Sequence, residues 1–271
     1  MLRLSYFAET TIPVEVEGLI PSLVRGQSLA EIEKFPLYHG NRQLPLAEFF
    51  RVEGDPSDER IEFEGNLAGV HWIGAKMDGG EICVRGPAGR HIGSEMTKGR
   101  IDVLGDASDW VGGELQGGLI HVRGRAGHLI GAAYRGSRRG MAGGTILVGG
   151  DVGNEVGHTM RRGLLVVGGQ CGDAPAFNMI AGTVAILGGC GIRPAAGMRR
   201  GTLLLAGENP PPLLPTFRAA CRLRPSFVPL LSAELRRHEF AFDSGLLDSD
   251  FTLHHGDMIE SGRGEVLIRA T

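Results

Sequence analysis

The feature that most constrains this chain is a glycine-punctuated repeat of 19 residues. Segments beginning at Arg60, Glu81, Arg100, Leu119, Thr145, Leu164, Thr183 and Thr202 align, with spacings of 21, 19, 19, 26, 19, 19 and 19 residues. One aligned position is glycine in all eight segments: Gly65, Gly86, Gly105, Gly124, Gly150, Gly169, Gly188 and Gly207. A second closes seven of them, at Gly80, Gly99, Gly118, Gly144, Gly163, Gly182 and Gly201. Glycine at fixed places implies corners, where the backbone takes φ > 0 or where layers approach too closely for a Cβ.

Between the corners each segment opens with an alternating apolar pair: Ile61/Phe63, Ile82/Val84, Ile101/Val103, Ile120/Val122, Ile146/Val148, Leu165/Val167, Val184/Ile186 and Leu203/Leu205. Period-2 alternation rich in β-branched residues predicts a short, half-buried strand. A further column, Met77, Met96, Leu115, Met141, Met160, Met179 and Met198, predicts an internal ladder of flexible apolar fillers. A unit this short cannot bury its own apolar face, but coils stacked about 4.8 Å apart share one continuous core. The expected fold is therefore all-β, a right-handed parallel β-helix of about eight coils. The left-handed hexapeptide form needs six-residue substeps that these glycines do not follow.

Glycine supplies 44 of 271 residues and 36 of the 44 lie between residues 60 and 207, which sets the expected boundaries. Residues 1–59 and 208–271 are expected to be small α+β caps covering strand edges that would otherwise recruit other chains. In the first, VEVEG reads as strand and SLAEIEKF as a helix after Ser28. In the second, ENPPPLLP breaks regular structure, residues 229–240 form an amphipathic helix, and FTLHHGDMIESGRGEVLI forms a hairpin. A hydrophobic share of 42% without Gly-X-Y spacing excludes disorder and collagen.

A net charge of −3 gives no overall basic field for nucleic acid. No apolar run is long enough to span a bilayer, and MLRLSYFAETTIPVEVEG lacks a signal-peptide core. Cys83, Cys171, Cys190 and Cys221 form no CxxC pair, so a reduced, cytoplasmic protein is expected. Cys171 and Cys190, 19 apart, are expected to stack as two thiols.

No phosphate loop, nucleophile elbow or HExxH is present. His71, His91 and His121 share no coil position, and no coil histidine has a Cys or carboxylate at ligand spacing, so neither catalysis nor metal binding is expected of this chain. The candidate site is the fourth segment, whose seven extra residues form an arginine-rich insertion. Tyr134, Arg135, Arg138 and Arg139, with Arg161 and Arg162, are expected to contact a partner or a carboxylate-rich ligand. Arg199 and Arg200 extend the same stripe.

The units GGLIHVRGRAGHLIGAAYRGSRRGMAGG and GGTILVGGDVGNEVGHTMRRG, after AEIEKFPLYHGNRQLPLAEFFRVEG, resemble the C subunit of the formylmethanofuran dehydrogenases. The repeat alone is also similar to the C-terminal β-helix domain of glutamate synthase, which leaves a stand-alone module of that kind as an alternative. The resemblance implies a scaffold subunit whose complex does its chemistry on other chains. In the bacterial formyltransferase/hydrolase form, a formyl group passes from tetrahydromethanopterin to a methanofuran-type carrier and is hydrolysed to formate. The implied partners are an amidohydrolase-like hydrolase, a formyltransferase and a subunit-B-like chain. The archaeal form is a molybdenum or tungsten dehydrogenase. The bias of 25 Arg over 3 Lys favours the bacterial form. No cofactor is expected on this chain itself. A rival of another class, a β-helix enzyme acting on acyl groups or polysaccharide, would need converging acidic or histidine side chains in adjacent coils, where only arginines stack.

Overall fold

The computed structural model describes residues 1–270, and the 19-residue interval of the sequence is its strand register. The strands Arg60–Glu64, Asp78–Arg85, Lys98–Val103, Leu119–Val122, Ala142–Val148, Arg162–Val167, Thr183–Ile186 and Arg200–Leu205 lie side by side, each parallel to the next in sequence. Parallel neighbours need a crossover of a dozen or more residues, and the remainder of each repeat supplies it. Ile61 stands beside Ile82, Ile82 beside Ile101, and Val184 beside Leu203. A second line of parallel bridges joins Leu67 to Ala88, Ala88 to Ala107, Val152 to Cys171 and Cys171 to Cys190. Every residue of the eight alternating pairs, and of the Met77 to Met198 column, is at most 2% exposed. The chain is thus mostly β, with stacked rungs around one elongated apolar core.

The flanks extend this ladder. Leu2–Tyr6 lies parallel to Arg60–Glu64 and is closed off by antiparallel Phe50–Gly54. At the other end Arg263–Arg269 lies parallel to Arg200–Leu205, followed by antiparallel Phe251–Gly256 and Arg218–Leu223. The expected C-terminal hairpin therefore forms, and its second strand serves as one more rung. Among the described residues thirteen strands make this sheet, and a smaller sheet of four, including Val14–Glu15 and Val70–His71, braces the N-terminal end. The helix after Ser28 is a single turn, Leu29–Ile32, in which Glu31 accepts from both the backbone and the hydroxyl of Ser28. No helix among the described residues is long and apolar enough to cross a membrane.

The two glycine columns exist for different reasons. The closing column has φ > 0 throughout, from 77° at Gly80 to 112° at Gly182, a region costly for residues with a Cβ. The first column has φ > 0 only at Gly65 and Gly86. From Gly105 onward the cause is close approach: a Cβ on Gly169 would collide with the Asp151 carboxylate and lie 2.7 Å from the Asp151 nitrogen. That carboxylate accepts from the Gln170 N–H at 2.7 Å. Asp106 does the same for Arg125, beside Gly124, at 2.7 Å. Glycine thus leaves room for a side chain to bond the next rung.

One expectation needs correction. The strands were expected to be half-buried, but in the C-terminal half three successive positions are buried, as at Ile146, Leu147 and Val148. The outward residues Leu147, Val166, Ala185 and Leu204 pack against Val228, Leu231 and Leu235 of the helix Val228–Arg237 and against Phe240, Leu246 and Phe251. The chain beyond the prolines folds back over this face and makes a second, outer core. Toward the N-terminal end the same outward column is Glu62, Cys83, Asp102 and His121. There Glu62, 2% exposed, is held by Arg85 at 2.5 Å and Arg3 at 3.2 Å. Burial opposes its charge, but Arg85 outweighs that cost and keeps the carboxyl ionised.

Candidate functional site

The insertion leaves the repeat at Ala133 and rejoins it at Gly140. At its far end the Gly140 N–H donates to Thr159 O at 3.0 Å, and a Cβ there would lie 2.6 Å from His158 O. Residues 135–139, between these points, are exposed. Arg138 and Arg139 line a groove of 680 Å³ with Glu114, Gln116 and Ser137. Ala142, just past the insertion, pairs in register with Arg162. Arg161 and Arg162 line an adjoining depression of 420 Å³ with Ile180, Ala181 and Arg200. Arg200 in turn lies beside Arg263 in the ladder. None of Arg135, Arg138, Arg139, Arg161, Arg162 and Arg200 makes an ion pair among the described residues, whereas Arg199 is neutralised by Glu260 at 3.2 Å. Like charges side by side in a sheet cost stability, so uncompensated guanidinium groups in this line favour an external anion.

Tyr134 does not join the arginines. It folds back across earlier rungs, with its ring 4.8 Å from Trp110 and 5.6 Å from His91, while Trp72 and His91 stack at 4.0 Å. Its hydroxyl donates to Ser94 Oγ at 2.7 Å, and Ser94, fully buried, donates to Trp110 O at 3.4 Å. His91 Nδ1 lies 3.1 Å from the Tyr134 oxygen. Burial, aided by His71 and Arg90, drives the His91 pKa down to about 4. Burial, with Glu95 and Glu114 adding to it, pushes Tyr134 up to about 12. Sequence reading missed this cluster, although Trp72, His91 and Trp110 are 19 apart and all three have φ of 65°.

No group of three or more His, Cys, Asp or Glu side chains converges among the described residues. Glu155 does reach the His158 ring, at 2.8 Å, a carboxylate partner that spacing alone did not suggest. His121 is buried under Phe240, and His128 accepts from the Asn154 N–H at 2.9 Å. Cys171 and Cys190 are free thiols in neighbouring rungs; burial raises both, Cys190 to about 11. A groove of 860 Å³ at the N-terminal end, between residues 6–12 and Asn66, has Glu9 as its only lining carboxylate. The arginine line can hold anions by charge.

No family model matches the chain. Over 79 residues it is 38% identical to the C subunit of the molybdenum-containing formylmethanofuran dehydrogenase 1 of Methanothermobacter thermautotrophicus, covering 29% of this chain and 20% of that protein. It is 37% identical over 92 residues to the C subunit of the tungsten-containing formylmethanofuran dehydrogenase 2 of Methanococcus maripaludis, 34% of each. These alignments span a fifth to a third of the curated relatives. A chain in the crystal structure of the formyltransferase/hydrolase complex from Methylorubrum extorquens, in complex with methylofuran, superposes with a TM-score of 0.90 and 31% identity, covering 99% of this chain and 100% of that one.

Proposed function

The chain belongs to the C-subunit family of the formylmethanofuran dehydrogenases, and from that premise we propose that it is a structural, non-catalytic subunit of a formyltransferase/hydrolase complex of one-carbon metabolism. Its complex would move a formyl group from tetrahydromethanopterin to a methanofuran-type carrier and hydrolyse it to formate. That chemistry would sit on a hydrolase, a formyltransferase and a subunit-B-like chain. The observation that carries this reading is the end-to-end likeness to a chain of such a complex, whereas the alignments with the methanogen proteins cover about a third of this chain. The archaeal dehydrogenase is the alternative.

We read the stack as a right-handed parallel β-helix over residues 60–207, with residues 1–59 and 208–271 as its caps; the 19-residue parallel register and the elongated inner core support this. Its setting is read as cytoplasmic, in keeping with the adjacent free thiols of Cys171 and Cys190. Arg135, Arg138, Arg139, Arg161 and Arg162 face a partner subunit or the glutamate carboxylates of the carrier. Purification from the source organism should yield the hydrolase and formyltransferase chains alongside this one, and the isolated chain should show no formyl transfer or hydrolysis. Turnover by the isolated chain refutes the scaffold reading, and co-elution with a molybdenum- or tungsten-pterin chain selects the archaeal alternative.

A further inference from the structure

An arginine-rich loop binds anions more tightly when its guanidinium groups are held in place, because ordering long side chains and their backbone on binding costs affinity. This loop is pinned at both ends. Gly140 fixes the far end by its bond to Thr159 and by a contact that leaves no room for a Cβ. Tyr134 fixes the near end. Its backbone N–H donates to Glu114 at 3.0 Å, its ring lies on Trp110 at an interplanar angle of 22°, and its hydroxyl reaches Ser94, 40 residues and two rungs away. The Ser137 N–H closes a turn on Tyr134 O at 2.9 Å, so the anchor also sets the path of the backbone into Arg138 and Arg139. Only five residues lie between the two anchors.

We infer that Tyr134 is a positioning residue: seated on Trp110 and bonded to Ser94 and His91, it holds the insertion so that Arg135, Arg138 and Arg139 are presented to an anionic partner. The inference rests on the reading of these arginines as an anion contact. Sequence reading placed Tyr134 among the contacting groups; the structure makes it the support on which they stand. Both tryptophans of the chain serve this seat.

Trypsin gives a direct readout, because the loop carries three arginines. The full chain, its Tyr134→Phe, Tyr134→Ala and Ser94→Ala variants and the Arg135/Arg138/Arg139→Ala triple variant are compared for native-state cleavage in the loop, for melting temperature and for binding of poly-L-glutamate at low and high salt. Tyr134→Ala should be nicked between residues 135 and 139 at least about tenfold faster, with Tyr134→Phe intermediate because it keeps the stacking and loses the hydroxyl bonds. The melting temperature of Tyr134→Phe should stay close to that of the parent, while its poly-L-glutamate affinity falls. Nicking of Tyr134→Ala at the parental rate overturns the anchor. Faster nicking with undiminished poly-L-glutamate binding overturns the presentation role. Parental binding by the triple arginine variant is a different result, which sinks the anion-contact reading and leaves the anchor to the cleavage data.

Discussion

His121 makes this fold acid-sensitive in a way that a single substitution should remove. The ring is 1% exposed, lies 5.8 Å from Phe240 and has an Nδ1 with no hydrogen-bond partner. Burial is the main reason that its pKa falls to about 4; Arg123, Arg100 and His238 push the same way and Asp102 only partly opposes them. In the unfolded chain the same imidazole titrates near 6.5. Between those values the unfolded state binds a proton that the folded state does not, so stability rises with pH. The contribution is complete above about pH 6.5 and is lost as the pH falls toward 4. A difference of about 2.5 pH units at about 1.4 kcal/mol each amounts to about 3.5 kcal/mol. His121→Leu replaces the ring with a side chain like that of Leu147 on the next rung, and it leaves no buried nitrogen unpaired. Urea unfolding followed by far-ultraviolet circular dichroism between pH 7.5 and 4.5 should show the variant as stable as the parent or more so at pH 7.5, and progressively more stable below pH 6.5. The carboxylates and His91 titrate in both proteins and cancel in the difference. Parallel stability curves for the two proteins across this range would refute the burial argument.

Other outcomes follow from the packing. Gly169→Val should prevent soluble expression or lower the melting temperature sharply, since its side chain meets the Asp151 carboxylate and the rung beneath; an unchanged melting temperature would mean that this close approach is absent. Met179→Ala, in the fully buried column, should cost about 2–5 kcal/mol in urea unfolding, and a negligible change would place the column outside the core. With thiol reagent at pH 8 the exposed Cys221 should react first while Cys171 and Cys190 stay protonated and slow; rapid reaction of all four cysteines would contradict their burial. In the assembled complex, the Arg135/Arg138/Arg139→Ala triple variant should weaken assembly or carrier-dependent turnover and flatten the salt dependence, and parental behaviour in all three would mark the loop as solvated surface.

The repeat was legible because stacking copies one environment from rung to rung. When Ile61, Ile82 and Ile101 face the same interior at a fixed interval, the sequence must show that interval, and the apolar pairs and the methionine column were assigned from it alone. The seven-residue insertion stood out for the same reason, as a departure from a regular spacing, and so did its arginines. Sequence could not separate the two roles of glycine. A left-handed φ at Gly182 and a carboxylate pressed against Gly169 select the same residue. The outer core was written in the sequence as the change from Glu62 and Asp102 to Val166 and Leu204 in one column, but only the folded chain shows the helix Val228–Arg237 lying across it. What the tertiary structure alone decided is where the irregular parts go. Tyr134 bonds a serine 40 residues back, and the final strand Arg263–Arg269 completes a ladder whose nearest rung ends at Leu205. Such contacts have no period and no local signature, because they depend on which unpaired surfaces the finished stack leaves open.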